Sequence, residues 1–395
     1  MEQFPARRTF EPREYGGRTL EVAAHLDAAC PGFLLSTIYA SSLKRQALFS
    51  AFAAIDLCAT EVFASRLEAT APDIFMGLDH LCSSARIARS LVSLRAKRII
   101  EATFGECPPG LLGAFARLGS APLDPKVYGV LFDVFSDPRH RHRASVLGQL
   151  PGLIQPDHIK VVTGLDDALV HIVAIERTKP AEVAALNAFA GSIVNLCNAS
   201  PEAIKRSLDK LAVGAKGAGM DVWAQGWLAR QVRLPFDPPI PASDPDFKLC
   251  LGVELTSLGR RLRNCAGQRQ SYTFLGERLV YEVVGFGEPA ALELLRLTTG
   301  ADSKWVCEDL RAPRNRRVSP KLAAAVQFKL DHHGILYQSL AHPTVEEQAL
   351  HKLIDHTTPF AWDRRREVAD DAHGDTVIEE MLTELEQELD DRVDA

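Results

Sequence analysis

The chain has 395 residues, of which 46% are hydrophobic and 24% are charged. These proportions are typical of a globular protein with a sizeable core, and they exclude a chain that is disordered or fibrous throughout. The formal net charge is -6. Residues 367–395 carry 12 acidic side chains and one basic one, a charge of -11, which leaves +5 on the preceding residues. A mildly basic body permits contact with nucleic acid without requiring it.

Cysteine usage and hydropathy favour a cytoplasmic protein that makes no membrane contact. The eight cysteines include no CxxC pair, so we expect free thiols in a reducing compartment. The most apolar window, residues 47–64, is interrupted by Asp56 and Glu61 and therefore predicts a core helix. The first residues lack the apolar run of an export signal. We find no phosphate loop, HExxH, GxSxG, Rossmann or kinase motif, and we expect no cofactor or metal.

The first half of the chain is predicted to be helical. Residues 1–17 are polar and indicate a flexible arm. Apolar residues then recur at intervals of three and four, as in residues 90–104 and 182–197, which predicts a helical domain over residues 18–233. A small polar residue followed by proline, as in Asp124-Pro125 and Ser200-Pro201, is a typical helix start. Because no fixed repeat is present, we predict an irregular helical array.

The pattern of apolar residues changes after a proline-rich joint, from helical periodicity to a mixture of strands and helices. Residues 234–247 contain five prolines, which predicts a domain boundary. We predict a small α+β module over residues 248–340. Its elements are a helix over 250–265, two strands at 279–286 and 291–298 joined by a GFGEP turn, a third strand at 303–310, a basic loop at 311–317 and a helix over 319–332. The fold class is therefore mainly α, with a small α+β module.

The end of the chain is predicted to contain a helical extension, residues 341–366, and an acidic tail helix, residues 367–395. The tail has one apolar stripe within its acidic sequence, formed by Val377, Ile378, Met381, Leu382, Leu385 and Leu389. Such a helix either stays solvated and frayed, or docks on a basic protein partner or back on its own body.

Residues of the α+β module resemble the PcfJ-like family, which is named for a conjugative-plasmid protein and is spread through bacterial mobile elements. The proline-rich lead-in is followed by Asn264-Cys265, then by Tyr272, Gly276, a strand, Glu293 on the next strand, and Asn315 after the third strand. This order is similar to the family's motif over roughly residues 236–340. The resemblance implies a plasmid or mobile-element context more than it implies an activity.

Arginines form the densest basic set of the module. They lie in the loop after the third strand and near the end of the preceding helix: Arg311, Arg314, Arg316 and Arg317, with Arg260, Arg261 and Arg263. Guanidinium groups bind phosphates bidentately, and Trp305 or Tyr272 could stack a base. The pattern predicts a polyanion-binding surface, and the alternative is a solvated basic loop.

Cys265 is a weak candidate nucleophile. It follows several arginines, which favour the thiolate form, and a catalytic cysteine would take its base from His332 or His333. A small residue packed at a helix end is the simpler interpretation. Cys250, Cys265 and Cys307 with one of these histidines could also bind zinc, but they lack the close ligand pairs typical of structural zinc sites.

Glu293 is a second weak catalytic candidate. With Glu308 or Asp309 it could form a carboxylate pair on neighbouring strands, suited to acid–base chemistry or to magnesium. Alternating strand positions that face solvent would give the same pattern.

These observations predict a non-enzymatic accessory protein of a bacterial mobile element or plasmid. It would contact DNA, RNA or a nucleoprotein through the arginine-rich loop. Two alternatives stay open: an enzyme that depends on Cys265 or on the carboxylates, and a protein-interaction scaffold that uses the acidic tail helix.

Overall fold

A computed structural model describes residues 17–213, 219–299 and 302–337. The chain forms two compact units, Met1–Ala184 and Ala185–Ala395. Helices dominate, and one small, largely antiparallel sheet lies in the second unit, so the predicted fold class is confirmed. None of the helices in the described ranges has the length and apolar character needed to cross a bilayer. Residues 1–16, which make up the predicted arm except for Gly17, lie outside the described residues, as does the whole C-terminal part from residue 338, including the tail helix.

The first unit consists of short helices, as the three-and-four periodicity predicts. They are α1 (Arg18–Ala29), α2 (Phe33–Ile38), α3 (Ser42–Leu57), α4 (Thr60–Thr70), α5 (Pro72–Met76), α6 (Ser83–Ser93), α7 (Ala96–Phe104), α8 (Leu111–Ala116), α9 (Pro125–Ser136), α10 (Arg141–Gln149), α11 (Pro156–Gly164) and α12 (Ile172–Arg177).

Helix α3 lies at the centre of this unit, where it contacts α1, α7 and α8. Its Phe52 is fully buried and packs edge-on against Phe33. Gln46, also fully buried, donates to the carbonyls of Gly119 and Ala121 and accepts from the hydroxyl of Tyr128 at 2.7 Å. Because every polar group in this set has a partner, the amide can be buried without a large desolvation penalty.

The second unit combines three helices with a sheet-based module. Its elements are α13 (Val183–Leu196), α14 (Pro201–Val213), α15 (Met220–Leu228), β1 (Phe247–Cys250), α16 (Val253–Leu262), α17 (Gln270–Phe274), β2 (Arg278–Val283), β3 (Ala290–Thr299), β4 (Asp302–Ala312), β5 (Arg316–Arg317), α18 (Pro320–His332) and β6 (Leu336–Tyr337).

The sheet has the order β1-β2-β3-β4-β5, and each of these neighbours is antiparallel. Strand β6 pairs with β4 in parallel. The hairpin predicted from the GFGEP turn is the β2–β3 pair, and the predicted third strand is β4. A register shift after Glu293 leaves Glu308 as the extra residue of a β-bulge, because Glu293 faces Asp309 while Leu294 faces Cys307.

Opposite faces of the sheet bury two different cores. On one face, Tyr281 and Leu292 pack with Val326 and Leu330 of α18. On the other face, Val280 and Ala291 pack with Cys250 and with apolar residues of α16, Leu255, Leu258 and Leu262. The alternation of side chains along β2 and β3 produces this division. The sheet therefore lies between α16 and α18.

Two sequence predictions need revision. The helix predicted over residues 250–265 begins at Val253, and the four residues before Leu251 form β1. The reason is Gly252, whose φ of 50° and ψ of -122° end the strand and start the helix. A four-residue strand is also too short to show a clear period.

The compact units divide within α13, well before the proline-rich segment that predicted the boundary. The proline-rich segment packs on the second unit and does not act as a free linker. Its Ile240 is 1% exposed, and its Phe236 lies 5.7 Å from the ring of Trp305. Proline stops a helix here, but it does not prevent the chain from being buried.

Candidate functional site

The fold brings the two predicted groups of arginines together. Helix α16 contacts the 3₁₀ turn Pro313–Asn315, which follows β4. Helix α16 and the loop after β4 therefore share one side of the module. We call six of these residues the arginine face: Arg260, Arg261, Arg263, Arg311, Arg314 and Arg317. Arg316 is not part of it, because it pairs with Ala312, whose side chain lies in the core on the α18 side of the sheet.

Two arginines of this face are held by carboxylates. Arg261 donates two hydrogen bonds to Glu282, at 2.5 and 2.8 Å, and this bond is the main reason that the pKa of Glu282 is lowered. The Nε of Arg311 lies 2.7 Å from Oδ1 of Asp309. The charges of Arg261 and Arg311 are thus largely balanced within the module, so these two residues add little net charge to the face.

The remaining charge lies on exposed side chains. Arg263, Arg314 and Arg317 are exposed, and none of them forms an ion pair with another described residue. Arg316 is also exposed, but it lies on the α18 side of the sheet, where its Nε donates to the neutral carbonyl of Pro313. Arg260 is exposed in the last turn of α16, where a cation is favoured by the helix dipole. The face therefore keeps a net positive charge.

Backbone geometry fixes where several of these side chains start. Arg263, Arg314 and Asn315 all have positive φ, between 52° and 62°. Residues other than glycine, asparagine and aspartate rarely adopt this conformation. The backbone of the two turns is therefore strained at Arg263 and Arg314.

No protein-family model, no curated protein and no solved structure matches this chain. The resemblance to the PcfJ-like family therefore stays a hypothesis that depends on the motif residues alone.

Most of these motif residues support the side of the sheet that holds α16. Asn264 accepts a hydrogen bond from the amide of Ala266 and starts the 3₁₀ turn that carries Cys265. Gly276, with φ of 71°, passes so close to Phe236 that a Cβ would lie 2.5 Å from its ring. Tyr272 lies under the guanidinium of Arg278, at 5.0 Å. These contacts give the motif residues structural roles.

The carboxylates that the sequence singles out meet on this side of the sheet. Arg278 on β2 donates to Oε1 of Glu293 at 2.8 Å and also forms an ion pair with Glu308. Arg269 lies 3.0 Å from the same Glu293 oxygen, at an angle that makes no hydrogen bond. One oxygen atom thus faces two guanidinium groups, and Glu293, Glu308, Arg269 and Arg278 form a cluster that we call the Arg278 network.

Electrostatics separate the two carboxylates of the network. The pKa of Glu308 is raised, first because burial disfavours its charged form and then because Glu293 is negative, although Arg278 acts in the opposite direction. A raised carboxyl pKa next to a second carboxylate is the pattern of an acid–base pair. Here Arg269 and Arg278 lie directly against the carboxylates. The geometry therefore favours a stabilising ion network over an acid–base pair.

Residues of the proposed cysteine chemistry are kept apart. Cys265 is exposed on the turn beside α16, whereas His332 and His333 belong to the end of α18 on the other side of the sheet. His333 instead hydrogen-bonds to Asp244 at 3.0 Å. Trp305 also packs on the α18 side, away from the arginine face.

The zinc candidates are separated in the same way. Cys250 is buried in the core beside α16, and Cys307 is buried in the core beside α18. Among residues 17–213, 219–299 and 302–337, no group of three or more His, Cys, Asp or Glu side chains is placed to hold a metal ion.

We expect the cysteines to differ sharply in reactivity. Cys82 and Cys265 are exposed, while burial raises the pKa of Cys250 to about 11 and that of Cys307 to about 12. Reaction of the native protein with a thiol-specific disulfide reagent should therefore modify Cys82 and Cys265 first and spare Cys250 and Cys307 until the protein unfolds. A Cys82→Ser protein isolates the signal of Cys265, and peptide mapping identifies the labelled thiols. Early labelling of Cys307 would contradict the described core.

Sequence reasoning missed the central role of Arg278. The sequence signal for this role was the alternation along β2, which places Arg278, Val280 and Glu282 on one face. The register between strands is also needed to show that Arg278 lies beside Glu293 and Glu308.

Proposed function

We propose that the second unit binds the phosphate backbone of nucleic acid through the arginine face, and that the chain acts as a non-enzymatic accessory protein. The observation that supports this proposal is the contact of helix α16 with the turn after β4. It gathers exposed arginines from two distant segments, and three of them pair with no described carboxylate.

Charge balance supports the same proposal. Two acidic groups on this side, Glu282 and Asp309, are already matched by Arg261 and Arg311. Further arginines are therefore not required for internal neutrality. Guanidinium groups that remain exposed on a restricted surface are suited to phosphate oxygens, which accept two hydrogen bonds from one arginine.

The proposed contact is with the backbone, without sequence readout. Tyr272 is partly covered by Arg278, and Trp305 lies on the other side of the sheet, so neither ring offers an open stacking platform on this face. Phosphate contacts position a nucleic acid but carry no sequence information. The mobile-element context of the proposal depends only on the PcfJ-like motif residues.

Replacing Arg263, Arg314 and Arg317 together by alanine should weaken binding of a short DNA duplex by roughly 150-fold at low salt, because each exposed contact contributes on the order of 1 kcal/mol. The slope of log affinity against log salt concentration should also fall by about 2.7, since each phosphate contact contributes about 0.9. Fluorescence anisotropy with labelled duplex DNA, single-stranded DNA and RNA, at several salt concentrations, measures both effects.

A matched control removes the same number of charges elsewhere in the second unit. Lys205, Arg233 and Lys304 are exposed and lie outside the arginine face. Their triple alanine variant should keep at least half of the wild-type affinity. Equal losses in the two triple variants would show that net charge alone governs binding. Absence of binding by the unaltered protein at low salt to all three nucleic acids would overturn the proposal.

The scaffold alternative concerns residues 367–395, which lie outside the described residues. It stays a prediction that a protein partner binds the acidic tail.

A further inference from the structure

The acidic tail, residues 367–395, has a charge of -11 within 29 residues, from 12 acidic side chains and one basic one. A carboxylate accepts two parallel hydrogen bonds from one guanidinium group, as a phosphate does. A segment with this density of carboxylates therefore offers an arginine surface the same chemistry as a nucleic-acid backbone. The rest of the chain has a charge of +5, so the two parts of the sequence attract each other.

The arginine face has guanidinium groups that are free to contact such a segment. The side chains of Arg263, Arg314 and Arg317 are exposed and form no hydrogen bond or ion pair with another described residue. Arg317 lies opposite Arg311, which lies opposite Ala291 in the core beside α16. Strand pairing therefore places Arg317 on the side of the sheet that holds α16, and three segments of the chain supply unpaired cations to this side.

Strand β6 directs the chain toward the arginine face. It pairs in parallel with β4, so that Tyr337 lies opposite Cys307. Both strands therefore run toward Arg311, which is four residues beyond Cys307, a distance of about 13 Å at 3.3 Å per residue. Strand β5, which carries Arg317, borders the same edge of β4 as β6 does. The strand direction at Tyr337 thus points along the sheet edge to the turn that carries the exposed arginines.

The length of chain between β6 and the acidic tail is sufficient for contact. Residues 338–366 number 29, and a segment of this length would measure about 44 Å as a continuous helix and about 96 Å when fully extended. Both lengths exceed the distance from Tyr337 to the arginine face. A tether of a few tens of residues holds a ligand at an effective concentration on the order of 1 mM, so even a weak contact would be well populated.

From these observations we infer that the acidic tail binds the arginine face of its own chain and competes there with nucleic acid. The contact depends only on charge and reach, whereas the competition rests on the proposed function. A tail contact with a Kd of about 0.1 mM, at an effective concentration of about 1 mM, lowers the apparent affinity of any competing ligand about tenfold. Salt screens the contact, so the effect is largest at low ionic strength. The tail would thus regulate the proposed site.

Two sixfold variants of the full chain provide the test. The tail variant replaces acidic residues of the tail by amides, which lowers the tail charge from -11 to -5, and consists of Glu379→Gln, Glu380→Gln, Glu384→Gln, Glu386→Gln, Glu388→Gln and Asp390→Asn. The control variant makes the same exchanges at exposed positions of the first unit and consists of Glu21→Gln, Glu61→Gln, Glu68→Gln, Glu106→Gln, Glu176→Gln and Asp133→Asn. The two variants have the same net charge, and circular dichroism checks that both are folded.

Cys265 reports on the contact without any nucleic acid. Its thiol is exposed, and it follows Arg263 by two residues. The anionic reagent dithiobis(nitrobenzoate) should label Cys265 at least about threefold faster in the tail variant than in the unaltered protein at low salt, because a bound tail repels the reagent. The rate in the control variant should change by less than about 1.5-fold, since its altered residues belong to the other unit. Cys82, which is exposed in the first unit, should keep its rate in the tail variant, and peptide mapping separates the two thiols.

The Arg263, Arg314 and Arg317 triple alanine variant locates the contact. In that background the six tail exchanges should change the Cys265 rate by less than about 1.5-fold, because the tail has lost its binding surface. The competition is measured separately with labelled duplex DNA. The tail variant should bind the duplex about tenfold more tightly than the unaltered protein at low salt, and the control variant less than about threefold more tightly. Because the arginine variant also loses the tail contact, its own DNA affinity is best compared with that of the tail variant when both carry the tail exchanges.

Three results would overturn this inference. The first is an unchanged Cys265 rate in the tail variant, even where the protein binds DNA. The second is an equal increase of that rate in both sixfold variants, which would assign the effect to net charge. The third is protection of Cys265 that grows with protein concentration between about 1 and 100 µM, which would place the tail on a second copy of the chain. A faster Cys265 rate in the tail variant, with no binding of nucleic acid by any variant, would support the tail contact and contradict the proposed function instead.

Discussion

Replacing Arg278 by methionine should lower the free energy of unfolding by roughly 3 kcal/mol, the magnitude expected when one member of a largely buried ion network is removed. The side chains of Arg278, Glu293 and Glu308 are 15%, 14% and 25% exposed. Methionine keeps much of the volume but leaves Glu293 and Glu308 close together with only Arg269 to compensate them. Urea denaturation at constant salt measures the loss.

The loss should depend on pH in a defined direction. In the native protein the pKa of Glu308 is already raised by burial and by Glu293, and removing Arg278 takes away an effect that lowers it. A carboxyl group whose folded pKa exceeds its unfolded pKa binds more protons in the folded state. Stability therefore falls as pH rises through the window between these two pKa values. The variant should lose more stability at pH 8 than at pH 5.

Two further variants separate charge from packing. Adding Glu308→Gln to Arg278→Met removes one of the facing charges and should recover part of the stability lost at pH 8. Arg261→Met breaks a comparable bidentate pair with Glu282, but Arg261 is 53% exposed, so this change should cost less than about 1 kcal/mol. If the two arginine variants lost equal stability and showed no pH dependence, the Arg278 network would not stabilise the fold as described.

The sequence predicts elements well where one residue pattern decides them. The helices of the first unit, the β2–β3 hairpin and α18 with its Ser319 cap all follow from periodicity, turn residues and capping. Prediction fails where a contact distant in sequence decides the outcome. The proline-rich segment packs on the second unit where Phe236 meets Trp305, and that contact joins residues far apart in the chain.

The same distinction applies to the candidate site. The arginine-rich loop and the arginines of α16 are visible in the sequence, and their position on one face is a consequence of sheet order. Their pairing is not visible, because it depends on which side of the sheet each carboxylate occupies. Glu282 and Glu293 face α16 by strand alternation, while the bulge at Glu308 turns a third carboxylate toward Arg278.

Replacing Gly252 by alanine should destabilise the second unit by roughly 4 kcal/mol or prevent its folding. The loss is large because no rearrangement of side chains can relieve the collision. Gly252 has φ of 50°, and a Cβ there would lie 2.5 Å from the carbonyl oxygen of Ala229 and 2.7 Å from that of Gln231. Both obstacles are backbone atoms of the segment after α15. Relief would require moving this segment.

Gly287 is the matched control for this change. It also has positive φ, 73°, but no atom lies within 4 Å of the position that a Cβ would occupy. Gly287→Ala should therefore cost about 1 kcal/mol, the strain of the backbone conformation alone. Thermal and urea unfolding of both variants separate strain from collision. Because the collision joins the start of α16 to the segment after α15, a large difference between the variants indicates that these parts form one cooperative unit. Similar small losses would mean that the segment moves freely, and would contradict the close packing of Gly252 against it.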